Sequence, residues 1–261
     1  MRLIRRRGRR DPNEMTLMEH LEELRTRLII VVAAIGVASI VGFVFFEPIF
    51  RLLLRPYCHA LETLPAAVVP PGVGPSGQNC QLIFTSPVDP FITRLKVGFF
   101  AGFLLALPVI LWQLWRFITP GLTPRERRMA VPFVASSVAL FAGGTLFAML
   151  IIPRGLAFLF SFAGEGLAPF LTVDRYLSFL IILVLVFGAS FEFPLVLVFL
   201  AGARVVTSEQ MKRWRRYTYF GLAVFAMIAT PTQDPYTMLL MWIPLLLFYE
   251  AAILVARIFK R

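Results

Sequence analysis

Residues 176–200 read YLSFLIILVLVFGASFEFPLVLVFL, an almost wholly apolar stretch long enough to cross a bilayer, for which about 20 residues suffice. Near its middle stands Phe191-Glu192-Phe193-Pro194. A carboxylate at that depth is costly and is read as functional by default. Pro194 removes a backbone donor just after it, in a setting where every backbone group must be satisfied internally. This stretch sets the expected class: an all-α polytopic membrane protein whose other apolar runs give Glu192 a polar neighbour or a water path.

The rest of the chain agrees. Of its 261 residues 58% are hydrophobic and only 16% charged, whereas a soluble domain has about 45–50% apolar residues. Charge-free runs cover 28–46, 97–115, 129–153, 176–191 continued past Glu192 to 203, 217–233 and 235–249. Six spans are expected, at 28–47, 91–116, 129–152, 176–200, 217–230 and 236–256. The last two are short, because Pro231, Pro235 and Pro244 limit them as unbroken helices. Residues 1–14 read as a basic disordered tail at anionic headgroups, and 15–261 as one six-helix transmembrane domain. The net charge of +11 does not point to nucleic acid, because the arginines lie between apolar runs and not on one basic domain.

Most of the 26 basic residues fall on one side of such a six-span chain. They are the arginines before the first span, Arg116 with Arg125, Arg127 and Arg128, then Arg204 with Lys212, Arg213, Arg215 and Arg216, and finally Arg257, Lys260 and Arg261. That side should be cytoplasmic, with both termini on it. The first apolar run is too long for a signal-peptide core and reads as an anchor that stays.

Along the chain, Thr16-Leu17-Met18-Glu19 has the capping-box pattern of a helix start. Leu17, Leu21, Leu24 and Leu28 share one face; Glu19, Glu22, Glu23, His20 and Arg27 share another. This face is either an interfacial surface laced with pairs such as Glu23 with Arg27 or a receiving surface for a cationic partner. After a break at Glu47-Pro48, a short interfacial helix is expected at 49–54, and 65–77 is too rich in Pro and Gly for regular structure. Cys58 and Cys80 fall on the same outer connection, as a disulfide or as two free thiols. Ser86-Pro87-Val88-Asp89 starts another helix, with Asp89 able to satisfy its own terminus. Thr123, Pro124 and Glu126 repeat that signal, and Gly143-Gly144 suggests close helix contact or a bend. Residues 154–172 read as a loop. Thr207 to Gln210 caps a helix leading into the fifth span, and Glu250 is interfacial or engaged in a specific contact.

No catalytic site can be assembled. His20 and His59 lie on opposite sides of the membrane, the cysteines and histidines lack metal-ligand spacing, no phosphate loop is present, and Ser136, Ser137 and Ser190 lack an evident base. A non-enzymatic protein without cofactor or metal is expected. Glu192 would also suit a proton-coupled small-solute transporter, but no inverted repeat is visible and the last two spans are too short to mirror the first two. A structural scaffold with Glu192 paired to a buried polar group is the third alternative.

Four motifs carry a resemblance. Residues 15–28, MTLMEHLEELRTRL, are followed by WRFITPGLTPRERR at 115–128, FGASFEFP at 187–194, and TPTQDP at 230–235 through Pro244 to Tyr249-Glu250. In this order and spacing they resemble the TatC family, the multi-spanning subunit of the twin-arginine protein translocase. The resemblance implies recognition of twin-arginine signal peptides on folded export substrates at the cytoplasmic membrane. It also implies single-span partners of the TatA and TatB kind, and use of the proton-motive force without nucleotide. Self-association stays open. Carried over, Glu22, Glu23, Arg25, Glu126 and Arg128 would form the signal-reading site, and Glu192 would face a water-accessible wall. Asp89, Pro231, Asp234 and Glu250 would serve partner docking or structure. Two departures stand out: Asp89 occupies a position where the family more often has glutamate, and Gln233 one where many members have proline, beside Thr237-Met238 in place of a more polar pair.

Overall fold

In the computed structural model, residues 17–62, 80, 82–118, 130–162, 171–202, 205–230 and 234–259 are described. They form eight helices: α1 Leu17–Val44, α2 Phe46–Glu62, α3 Asp89–Ile118, α4 Ala130–Ser161, α5 Val173–Phe191, α6 Phe193–Gly202, α7 Ser208–Ala229 and α8 Pro235–Phe259. Five helical segments, α5 and α6 counting as one, are long and apolar enough to cross a membrane. The chain is an all-α polytopic membrane protein. α7 falls outside that set because Lys212, Arg213, Arg215 and Arg216 fill its first half.

The spans pack through small residues as much as large ones. α1 lies antiparallel on α3, with Gly42 opposite Gly98 and Ser39 opposite Gly102. A methyl group on Gly102 would sit 2.5 Å from the Ser39 backbone nitrogen, so only glycine lets these backbones approach so closely. α4 meets α5 in the same way: a β-carbon on Gly144 would fall 2.7 Å from the Phe187 carbonyl oxygen. α6 and α7 both pack on α8, and α2 on α4. The main core gathers Leu53, Tyr57, Ile152, Tyr176, Leu177, Leu180, Met241 and Leu245, all nearly inaccessible.

Three boundaries differ from the sequence expectation. The break after the first span lies at Phe45, not at Glu47-Pro48, which occupy the first turn of α2. Proline is tolerated in a first turn, where its missing N–H would have no partner anyway. α2 also continues to Glu62, past the short helix expected at 49–54, because Leu53, Pro56, Tyr57, Ala60 and Leu61 form one buried stripe that the intervening arginines obscure in the sequence. Finally, α4 runs through Pro153, Arg154 and Gly155 to Ser161, where a loop was expected from 154. Ile152, Pro153, Gly155 and Leu156 are buried there, and packing of this kind offsets the lost backbone bond. The tail at 1–14, residues 65–77, and Thr16, Thr123 and Pro124 lie outside the described residues.

One end of the bundle is tied together by several links around α2 and the segment before α3. Tyr176 Oη donates to the Leu53 carbonyl at 2.6 Å. Ile83 pairs with Thr172 in a parallel bridge, with Val173 N–H on the Ile83 carbonyl at 2.9 Å. Cys58 is bonded to Cys80, their Cα atoms 5.7 Å apart across a separation of 22 residues. Closing a loop of that length restricts the unfolded chain, so Cys58→Ser should lower stability by about 2 kcal/mol. Thermal unfolding of the purified protein, with and without reductant, checks this. An unchanged midpoint would mean that the hydrogen bonds at this end suffice without the crosslink.

Candidate functional site

The antiparallel α1–α3 pair has its other end at the start of α1 and the last turns of α3. There Glu19, Glu22, Glu23, Thr26, Arg27 and Ile30 of α1 and Gln113 and Arg116 of α3 line a groove of ≈ 470 Å³. The local cause is helix periodicity: residues three and four apart share a face, so a charged stripe precedes the apolar span on the side that meets α3. The carboxyl-terminal end of α3 adds the negative pole of its own helix.

Glu23 is engaged on one side only. Arg27 places both Nε, at 3.1 Å, and Nη2 on Glu23 Oε1, and its Nη1 reaches the Gln113 carbonyl at 3.4 Å. Glu23 Oε2 is buried and accepts no hydrogen bond among the described residues; His20 Nδ1 stands 4.0 Å away. The His20 ring is stacked on Phe117 with centroids 4.3 Å apart, which pins the first turns of α1 to α3. Glu22 is exposed beside them. Arg25 is exposed on the neighbouring flank of α1 and does not line the groove. Glu126 and Arg128 lie outside the described residues.

Glu192 occupies the single non-helical position between α5 and α6. Its N–H bonds to the Ala189 carbonyl and its own carbonyl accepts from Val196, each at 3.1 Å. Pro194 offers no N–H two residues further on, in the first turn of α6, which begins at Phe193. The side chain meets α4: Ser137 Oγ, almost fully buried, donates to Glu192 Oε2 at 2.7 Å. Oε1 is buried with no hydrogen-bond partner among the described residues. One polar hand is therefore taken and the other is open.

The other acids named from the sequence take part in local structure. Asp89 accepts the Thr85 and Ser86 N–H groups at 2.9 Å each, closing the start of α3. Asp234 accepts from Thr237 N–H at 2.8 Å and its hydroxyl at 2.5 Å, doing the same for α8. Glu250 accepts from Arg215 and from Tyr219 Oη, the latter at 2.5 Å, joining α8 to α7. Pro231 and Gln233 lie outside the described residues. Sequence reading missed the ion pair of Lys96 with Asp174, where Lys96 also donates to Ser178 at 2.9 Å. Opposite charges at the near edges of two apolar runs, Lys96 just before 97–115 and Asp174 just before 176–191, were the available signal.

Comparison with known proteins accords with these features. The family model for TatC, Sec-independent protein translocase protein, matches residues 19–244. The chain is 42% identical to the Sec-independent protein translocase protein TatC of Frankia casuarinae over 94% of its own length, and 36% identical to that of Corynebacterium kroppenstedtii over 99%. It spans only 66% and 65% of those two relatives. With the protein of the same name from Aquifex aeolicus it shares 38% identity over 95% of this chain and 97% of that one. A crystal structure of the twin-arginine translocase receptor TatC superposes with a TM-score of 0.74 at 37% identity, covering 93% of this chain and all of that one. The chain belongs to the TatC family of Sec-independent protein translocase proteins.

Proposed function

We propose that this chain is the signal-peptide-receiving core subunit of a twin-arginine translocase, exporting folded proteins across the cytoplasmic membrane at the expense of the proton-motive force. The observation that carries the reading is the groove between α1 and α3, where three glutamates converge at the mouth of an apolar helix pair. Consecutive arginines are read best by carboxylates in paired, partly desolvated geometry. An apolar signal segment would find hydrocarbon and the exposed apolar flank of α1 directly beyond.

In this reading the chain crosses the membrane six times, α7 completing the five long apolar helices. Its apolar part is short, about 20 Å at 1.5 Å per residue, so the bilayer thins there or neighbours shield its ends. Both termini and the groove face the cytoplasm, as the clustering of basic residues supports. Single-span proteins of the TatA and TatB kind are the partners, and Glu192 with Ser137 is the intramembrane polar site. Glu126 and Arg128, carried over from the family motif, belong to the same signal-reading site in this reading.

The test is direct binding. The purified chain in lipid nanodiscs should bind a fluorescent peptide with two consecutive arginines ahead of an apolar segment. Exchange of the arginines for glutamines should weaken it by about tenfold or more, the range of a charge-assisted hydrogen bond. Equal affinity for the two peptides would refute the assignment.

A further inference from the structure

Resting on that reading, we propose that Arg27 determines the specificity of the groove: by occupying one oxygen of Glu23 and cancelling its charge, it admits a guanidinium and rejects an ammonium. Arg27 is anchored on both helices, by two N–H groups on Glu23 Oε1 and a third on the Gln113 carbonyl. Its side chain is only 13% exposed, and that of Glu23 20%. It is a fixed part of the wall.

An ionised carboxylate offers about four acceptor directions, and Arg27 takes those of Oε1 alone. Oε2 stays without a hydrogen bond among the described residues, next to Glu22 on the same groove. With Arg27 in place the lining sets three acids against Arg27 and Arg116, which leaves one net negative charge and halves the Coulomb pull on a point charge relative to a groove without Arg27. An ammonium gains little from such a site. A planar guanidinium can hydrogen-bond Oε2 and a second carboxylate together, in the forked geometry that lysine lacks. Discrimination then comes from a built-in like charge that any arriving cation must outbid by geometry. Without Arg27, Glu23 becomes a bare carboxylate that attracts any cation.

The experiment compares two peptides, one with two consecutive arginines and one with two consecutive lysines, binding to the full chain in nanodiscs by fluorescence anisotropy. Wild type should prefer arginine by about tenfold or more. In Arg27→Gln and Arg27→Met the lysine peptide should tighten by about tenfold while the arginine peptide changes less than about threefold, collapsing the preference. Arg27→Lys keeps the charge and should stay within about twofold of wild type in that ratio. Two neutral variants are used so that one that fails to fold, judged by its thermal transition, leaves the other to decide. A wild-type ratio in the folded neutral variant overturns the proposal, as does loss of both peptides there, collapse in Arg27→Lys, or a wild type without preference. A wild type that binds neither peptide overturns the assignment of the groove itself, a distinguishable failure.

Discussion

Replacing Glu22 and Glu23 together by glutamine is expected to weaken binding of a paired-arginine peptide by about 100-fold, the loss of one to two hydrogen bonds to charged acceptors at roughly 1.5–3 kcal/mol each. Both side chains line the groove, one exposed and one half-buried. Glutamine keeps their size and one acceptor oxygen. The variant therefore removes charge and leaves shape. It also exposes the role of Arg27, which faces Gln113 and an uncharged amide once Glu23 is neutral. The groove then carries Glu19 against two arginines, and an incoming cation meets net repulsion. The effect should be larger than the sum of the two single variants, because only one carboxylate at a time is needed to offset Arg27. Anisotropy of the labelled peptide gives the affinity, and the thermal transition shows that the fold persists. Glu23 with Arg27 is a partly buried i,i+4 pair in which glutamine still offers Arg27 an acceptor, so stability should change by no more than about 1 kcal/mol. Unchanged affinity in the double variant would remove these two residues from the signal-reading site.

How far the sequence reached is best seen residue by residue. Signals confined to one helical turn were legible. The Thr207–Gln210 capping box forms in both directions, Asp89 folds back on the N–H groups of Thr85 and Ser86, and Gly144 marks a backbone contact. Local chemistry of this kind depends on neighbours three or four positions away, which the sequence displays. The charged lead-in and the first span are continuous in α1.

Pairings across the bundle were not legible. Glu192 announces itself by its cost in an apolar run, yet its partner Ser137 lies 55 positions earlier in a stretch with other candidate hydroxyls. Nothing in the local pattern selects Ser137 over Ser136, whose hydroxyl turns back to the Pro132 carbonyl at 2.8 Å. The same holds for helices that continue through proline. Pro56 and Pro153 each cost a helix interior a backbone bond, but both are buried, and burial against other helices outweighs that cost. The charged face of α1 was legible as a stripe, whereas its meeting with Gln113 and Phe117 required the antiparallel fit to α3.

The polar hairpin of α7 and α8 supports the other large effect: Glu250→Ala should cost about 3 kcal/mol of stability. The first half of α7 has little apolar surface with which to hold its place, because four basic residues occupy it. Polar contacts to α8 substitute. Arg215 and Tyr219 both bond the Glu250 carboxylate, Tyr249 Oη donates to the Met211 carbonyl at 2.7 Å and accepts from Thr218 at 3.2 Å, and Trp242 Nε1 donates to the Tyr219 carbonyl at 3.0 Å. The Arg215 and Glu250 side chains are 42% and 34% exposed, so the ion pair as such counts for no more than about 1 kcal/mol. The larger part is the loss of the Tyr219 bond and the stranding of Arg215, whose Nε is already buried without a partner among the described residues; leaving a charged group so placed adds about 2 kcal/mol. Glu250→Gln, which keeps an acceptor for Tyr219, should cost about half as much by the same reasoning. Removing both charges, as Arg215→Met with Glu250→Leu, should restore stability to within about 1 kcal/mol, because apolar replacements of a pair avoid the stranded charge. Thermal unfolding of the four proteins in one detergent supplies the comparison. A Glu250→Ala transition at the wild-type temperature would show that α7 is held by its packing on α8 alone, and a double variant as unstable as the single would place the cost in lost volume instead of stranded charge.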